Sequence, residues 1–269
     1  MRIMTDKLNS FENMYFEVPE KLLEQFHIVL VNPKHVKNIG SAARAMVNMG
    51  FHNMTVVGRK DMLDGEAYAL ARDAKHVLEK ANYTETLGEA LKNMNHIIGT
   101  TRRPMRYEYE VLTPDQIMPS LLERARNNRI AILFGPEDTG LQIEHLTFCN
   151  QLVRIPTSSE YASINLSQAV LIMCYEIFKH VITYPLPEKA GNRAGTSVVI
   201  EGLFEHLEAF FNKIDYFPYE EHRHTMQLFR QMFRRCELDD YDLGLLRSIL
   251  HKTEKYIREI TSEEASEEK

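Results

Sequence analysis

The chain has 269 residues, 44% of them hydrophobic and 26% charged, with a formal net charge of −6. That is the balance of an ordinary soluble fold, large enough for one big domain or a medium domain plus a small one. The acidic balance excludes a protein that wraps nucleic acid by bulk charge, because phosphate contacts need Lys and Arg; the tail TSEEASEEK supplies part of the acid, so a local basic patch stays open.

Residues 1–25 read as a polar amino-terminal extension without the apolar stretch of a signal peptide. From residue 26, short apolar runs alternate with amphipathic segments. FHIVLV (26–31), NMTVVG (53–58), NHIIGT (95–100), RIAILFG (129–135) and QLVRIP (151–156) read as buried strands. Helical patterns fall near 38–49, 64–79, 86–93, 114–127 and 140–148, with a long helix over 165–183. This alternation predicts an α/β domain over 26–184, a mostly parallel sheet with helices on both faces. PLPEKAGNRAGTS (185–197) reads as a linker. Three helical patterns follow over 198–260, then an acidic tail, 261–269, expected to be mobile. No apolar run approaches the roughly 20 residues that span a bilayer. Three cysteines without a C-x-x-C argue against a disulfide framework and for a reducing, cytoplasmic setting.

Three strand ends carry chemistry. NPKHVKNIGSAARAM (32–46) leads a strand into a helix whose apolar stripe is Ile39, Ala42, Ala43, Met46 and Met49. Arg44 lies on the opposite stripe, where a lone arginine is ordinarily just solvated; but the small residues beside it permit close backbone approach, at the strand edge where α/β sheets bind ligands. LFGPEDTGL (133–141) turns at Gly135 and places Glu137 and Asp138 near a helix start, which the helix dipole alone would favour. IPTSSEYASINLSQAV (155–170) sets Ser163 and Asn165 before an apolar helix, where either would serve as an N-cap. One such loop is weak; three converging on one sheet edge point to a site.

NIGSAARAM, LFGPEDTGL and YASINL resemble the three motifs of the SpoU-type ribose 2′-O-methyltransferases of the SPOUT class, in the family's order. The resemblance covers about residues 26–184. It implies a fold with a carboxyl-terminal trefoil knot, S-adenosylmethionine bound in the knot, RNA as substrate and a homodimer. By motif position it implies catalytic roles for Asn38, Arg44, Glu137, Ser163 and Asn165. It implies a cofactor wall of Thr100, Thr101, Arg102, Gly135, Ile155, Ala162, Ser163, Ile164 and Leu166. LFRQMFRRCELDDYDLGLLRSIL resembles the carboxyl-terminal extension of the bacterial enzymes acting on nucleotide 32 of the tRNA anticodon loop. Those helices, with Phe229, Met232 and Phe233 as apolar candidates, also suit dimer contacts.

Methyl transfer to a ribose hydroxyl needs positioning above all and no metal; the eleven histidines are scattered, and His222 and His224 read as helix surface. A guanidinium is a poor general base. Arg44 therefore either accepts a proton with help from an RNA phosphate or, the preferred account, clamps phosphate bidentately while charged. Candidate RNA contacts are Arg59, Arg103 and Arg106, and Arg230 with Arg234, which share one helix face. Three alternatives stand beside a tRNA methyltransferase: an rRNA methyltransferase, a catalytically silent RNA-binding module, and a dinucleotide-dependent oxidoreductase. The last lacks the G-x-G-x-x-G fingerprint.

Overall fold

The computed structural model describes residues 20–58, 65–102, 111–183, 193–217 and 222–267. Seven strands form one sheet: β1 (Phe26–Val31), β2 (Asn53–Val57), β3 (Asn82–Thr84), β4 (His96–Thr100), β5 (Val111–Leu112), β6 (Ile130–Phe134) and β7 (Gln151–Val153). Their spatial order is β3-β2-β1-β6-β4-β7-β5 and every pairing is parallel. The continuous apolar runs have a direct cause. Alternate strand residues face opposite sides, and both sides are covered. Ile28, Leu30, Ile130 and Ile132 enter one core with α2 (Val36–Asn48), α6 (Pro114–Ala125) and α8 (Leu166–Thr183). Val29, Val31, Ala131 and Leu133 enter a second core with α5 (Leu87–Leu91) and α7 (Ile143–Leu146). Each fully buried Ile or Leu contributes about 1.5–3 kcal/mol of transfer free energy.

The small residues of α2 serve packing. A Cβ added to Gly40 would stand 2.0 Å from the Ala67 carbonyl oxygen of α3 (Gly65–Ala71), so glycine lets the two helices touch backbone to backbone. Behind α3, a 3₁₀ turn at Arg72–Ala74 breaks the helix expected over 64–79, and α4 (Lys75–Lys80) follows. Helix α8 is, contrary to the sequence expectation, long and apolar enough to cross a membrane by length and composition. Here its stripe Val170, Met173, Cys174, Ile177 and Val181 is buried in the first core instead.

The amino-terminal boundary also shifts. Helix α1 (Glu20–Leu23) belongs to the sheet domain, because Leu22 and Leu23 are buried in the first core. Beyond the sheet, α9 (Ser197–Lys213), α10 (His222–Arg235) and α11 (Asp240–Glu267) pack around Leu203, Phe204, Phe210, Leu243 and Leu250. Helix α11 continues through the expected acidic tail to Glu267. Phe229 and Phe233 are taken up by the aromatic cluster inside this unit, with Phe229 5.0 Å from Phe211 and Phe233 6.1 Å from Phe204; Met232 stays exposed.

The helical unit meets the sheet at the amino ends of β4, β6 and β7, through polar groups. Asn95 Nδ2 donates to the Ala194 carbonyl (2.7 Å), the Ala194 amide donates to Asn128 Oδ1 (2.9 Å), and the Ser197 amide donates to the Met94 carbonyl (2.8 Å). The described end of the expected linker is therefore pinned. Asn150 donates to the Arg234 carbonyl and accepts from the Ile97 amide, both at 2.8 Å. Six of the eight buried polar or charged side chains among the described residues take part in this seam: Asn95, His96, Asn128, Asn150, Ser197 and Arg234.

Arg230 and Arg234, expected as RNA contacts, are instead engaged in ion pairs inside the helical unit. They do share one face of α10, but it turns inward onto Glu201 of α9. Arg234 Nη2 lies 2.7 Å from Glu201 Oε1, Arg230 pairs with Glu201 Oε2, and the Arg234 side chain is 1% exposed. The Arg230 guanidinium lies over the Phe204 ring. His222 pairs with Glu208 at 3.1 Å.

Candidate active site

The carboxyl ends of β1, β4, β6 and β7 lie on the edge opposite that seam. Strand β6 sits at the centre, with β1 on one side and β4 on the other, and the sheet's direction of growth reverses between β1 and β6; such switch points open a crevice. A cavity of about 100 Å³ lies at this edge. The β4 end contributes Thr100, Thr101 and Arg102; the β6 end contributes Phe134, Gly135 and Gly140; the β7 loop contributes Ile155, Ala162, Ser163 and Ile164 before Leu166 opens α8. All nine residues expected in a cofactor wall line this one cavity. Glu137, expected in a catalytic role, lines it too, and sequence reading missed Phe134, Pro136, Gly140, Val153 and Ala169, which complete it. Their signal was adjacency to the motifs; the apolar ones read as ordinary core.

Local chemistry explains the wall. The Thr100 hydroxyl donates to the Leu133 carbonyl (2.8 Å), tying β4 to β6, and the Thr101 amide donates to the Val153 carbonyl (2.9 Å), tying it to β7. The loop after β6 folds back tightly, with the Gly140 amide donating to the Pro136 carbonyl at 2.8 Å. A Cβ on residue 135 would stand 2.2 Å from the Leu141 nitrogen, so only glycine lets that loop close.

Beside the wall runs a chain of hydrogen bonds linking all three motifs. Glu137 Oε2 accepts from the Lys34 amide (2.8 Å), and Oε1 accepts from the His35 amide (3.2 Å) and from Asn38 Nδ2 (2.6 Å). Asn38 Oδ1 accepts from Asn165 Nδ2 (2.9 Å), and Asn165 Oδ1 accepts from the Ser167 amide (2.9 Å) and hydroxyl (2.7 Å). Asn165 is thus the N-cap of α8 and a member of the network at once. The Lys34 and His35 amides had no sequence signal, because any residue supplies them. Glu137 fills the place of the missing side-chain cap at the start of α2. Partial burial pushes its carboxyl up, but the hydrogen bonds from Lys34, Asn38, His35 and its own amide outweigh this and hold it below the usual carboxylate range.

Arg44 stands apart. It is exposed and makes no ion pair or side-chain hydrogen bond with another described residue. It lies six residues beyond Asn38, about 9 Å along the helix axis and on another face, outside the cavity wall. Arg59, Arg103 and Arg106 lie outside the described residues.

The fold is that of a SpoU-type methylase. Residues 25–175 match the SpoU rRNA methylase family, and the chain belongs to that family. Residues 199–265 match the carboxyl-terminal domain of the tRNA methyltransferase TrmJ. The chain is 33% identical over 248 residues to the tRNA (cytidine/uridine/adenosine-2′-O-)-methyltransferase TrmJ of Pseudomonas aeruginosa, which spans 88% of this chain and 96% of that one. It is 34% identical over 211 residues to the tRNA (cytidine-2′-O-)-methyltransferase TrmJ of Methanocaldococcus jannaschii, spanning 77% and 89%. The crystal structure of TrmJ from Z. mobilis superposes with a TM-score of 0.75 at 29% identity, covering 85% of this chain and 98% of that one. The dinucleotide-dependent alternative falls with the family match.

Proposed function

We propose that the protein transfers a methyl group from S-adenosylmethionine to a ribose 2′-hydroxyl of tRNA, with nucleotide 32 of the anticodon loop as the first position to test. The observation that carries the reading is the cavity at the sheet's carboxyl edge, walled by residues of the β4, β6 and β7 loops and bordered by the Glu137–Asn38–Asn165 network. Its mixture of apolar side chains with backbone groups, the Thr100 hydroxyl and the Arg102 guanidinium suits a nucleoside joined to an amino acid. When bound there, the cofactor supplies an electrophilic methyl group.

The chain's own residues then have distinct tasks. Thr100, Thr101, Arg102, Gly135, Ile155, Ala162, Ser163, Ile164 and Leu166 hold the cofactor. Glu137 is an organiser rather than a proton acceptor, since three donors occupy its oxygens and hold its carboxyl below the usual range, which makes it a weak base. Asn38 and Asn165 orient the ribose with the amide N–H groups the network leaves over. Arg44 clamps an RNA phosphate, and having no partner among the described residues leaves its guanidinium fork available. Support for tRNA over rRNA comes from the carboxyl-terminal helices and their match over 199–265. The trefoil knot, the homodimer and a cytoplasmic setting belong to the same reading; Leu171 and Tyr175 on the exposed face of α8 are the apolar groups a partner copy would cover. A protein that transfers labelled methyl from S-adenosylmethionine to tRNA, and whose loss removes one 2′-O-methyl nucleotide from cellular tRNA by mass spectrometry, has this function. Cofactor binding without transfer to any RNA would instead favour a silent RNA-binding module, and transfer to rRNA alone the ribosomal alternative.

A further inference from the structure

We infer that Ser167 is a positioning residue of this site: its hydroxyl, donating beside its own amide, adds a second restraint that holds the Asn165 amide in the orientation the backbone amide sets and, through it, steadies Asn38. The inference rests on the ribose-methylation reading for its kinetic consequence, and on geometry alone for the relay.

A serine in the first turn of a helix ordinarily bonds solvent or the carbonyl four residues back. Ser167 instead turns its hydroxyl to a side chain two residues back. Its Oγ lies 2.7 Å from Asn165 Oδ1, alongside its own amide at 2.9 Å, so one oxygen receives two donors from one residue. The rest of the chain follows in one direction. Asn165 turns Nδ2 to Asn38 Oδ1, and Asn38 turns Nδ2 to the Glu137 carboxylate. The two ends have fixed character, since a carboxylate only accepts and a backbone amide only donates. Reversing Asn165 would set its Nδ2 against the Ser167 amide, an obligate donor, even though the hydroxyl could turn to accept, and its Oδ1 against Asn38 Oδ1. Reversing Asn38 as well would leave its oxygen facing a carboxylate. One orientation of both amides therefore satisfies every contact, and each amide keeps one N–H outside the relay, held at a defined place for an oxygen of the substrate.

Removing the hydroxyl leaves the Ser167 amide still donating to Asn165 Oδ1, so the cap of α8 persists while Asn165 loses one of its two restraints. The expected loss is one of orientation, not of folding or cofactor binding. The test compares Ser167→Ala and Ser167→Thr in the full-length protein. Three quantities are read: hydrogen exchange of the Asn38 and Asn165 side-chain amides by ¹⁵N NMR, kcat and KM with tRNA, and the Kd for S-adenosylmethionine. In Ser167→Ala both amides should exchange faster, and kcat should fall about fivefold to tenfold, the scale of one neutral hydrogen bond, with KM and Kd held within about twofold. Ser167→Thr, which keeps the hydroxyl, should restore exchange and kcat together. Unchanged exchange at Asn38 in Ser167→Ala overturns the relay, as does a kcat equal to wild type or a threonine variant no better than alanine. A drop in cofactor affinity matching the drop in kcat would make Ser167 a plain structural cap and also overturn it. If the wild type moves no methyl group while Asn38 exchange still responds to Ser167→Ala, the relay stands and the ribose-methylation reading is what fails.

Discussion

Replacing Glu137 by glutamine tests how the first two motifs are joined. The carboxylate accepts from the Lys34 amide, the His35 amide and Asn38 Nδ2. Glutamine keeps one acceptor and puts an NH₂ where the other oxygen was. If the remaining oxygen serves His35 and Asn38, the new NH₂ faces the Lys34 amide, donor to donor. One charge-assisted hydrogen bond is worth about 1.5–3 kcal/mol, and a negative charge at the start of a helix about 0.3–1 kcal/mol. Glu137 is only partly buried, so solvent screens some of this, and we expect a net cost of about 2 kcal/mol. For a chain of this size that lowers Tm by about 4–8 °C. The pH dependence gives a sharper check. Because the folded carboxyl is held below its ordinary value of 4.5, its contribution is fully present above that value and disappears as pH falls through the folded value. The stability gap between wild type and Glu137→Gln, measured by urea melts from pH 7 to pH 3, should therefore be constant above about pH 5 and close below 4.5. Equal Tm values at pH 7, or a gap that persists unchanged at pH 3, would refute a carboxylate tie between these loops.

Other outcomes follow from the same structure. Arg44→Lys keeps the charge but loses the fork, and should cut methyl transfer at least about a hundredfold while cofactor Kd holds; a near-wild-type rate would sink both the clamp and the base assignments. Gly135→Val should abolish S-adenosylmethionine binding in calorimetry, since its Cβ would collide with the 140–141 backbone; unchanged affinity would place the cofactor elsewhere. His96 is fully buried, and burial, aided by Arg124, pushes it down to about 4. Stability should fall as pH drops from 6.5 towards 4, by about 3 kcal/mol from this residue, and His96→Gln should flatten that part of the curve in urea melts. Glu201→Ala leaves the buried Arg234 guanidinium without its carboxylate, and should cost about 3–5 kcal/mol in chemical denaturation; a loss under 1 kcal/mol would mean solvent reaches the seam.

The parts of the fold legible in the sequence were those whose cause is local. Strands β1, β2, β4 and β6 announced themselves because burial on both faces makes them continuously apolar. Strands β3 and β5 did not, since three and two residues at the sheet's margins carry no periodicity. The helix expected over 140–148 contracts to α7 because Gln142 and His145 close a reciprocal cap there. The cavity wall was readable because its residues sit at strand ends within quoted motifs. The arginines of α10 show the limit of such reading. Spacing of four correctly put Arg230 and Arg234 on one face, but which way that face turns depends on Glu201, some thirty residues earlier. The Glu137 tie to Lys34 and His35 was invisible for a related reason: the donors are backbone groups a hundred residues away.

The polar seam has a consequence for how the molecule is made. Asn95, Asn128 and Asn150 occupy the sheet's amino edge, and each bonds to a partner between residues 194 and 234. A nascent sheet domain emerging from the ribosome would hold these amides without those partners, and an apolar seal over them would not substitute. At about 5–20 residues per second, the helical unit takes on the order of 4–15 s more to be synthesised. Through that interval the catalytic half waits with an unfinished edge, so a chain stopped near residue 190 should emerge as a poorly soluble client of chaperones rather than as a smaller enzyme.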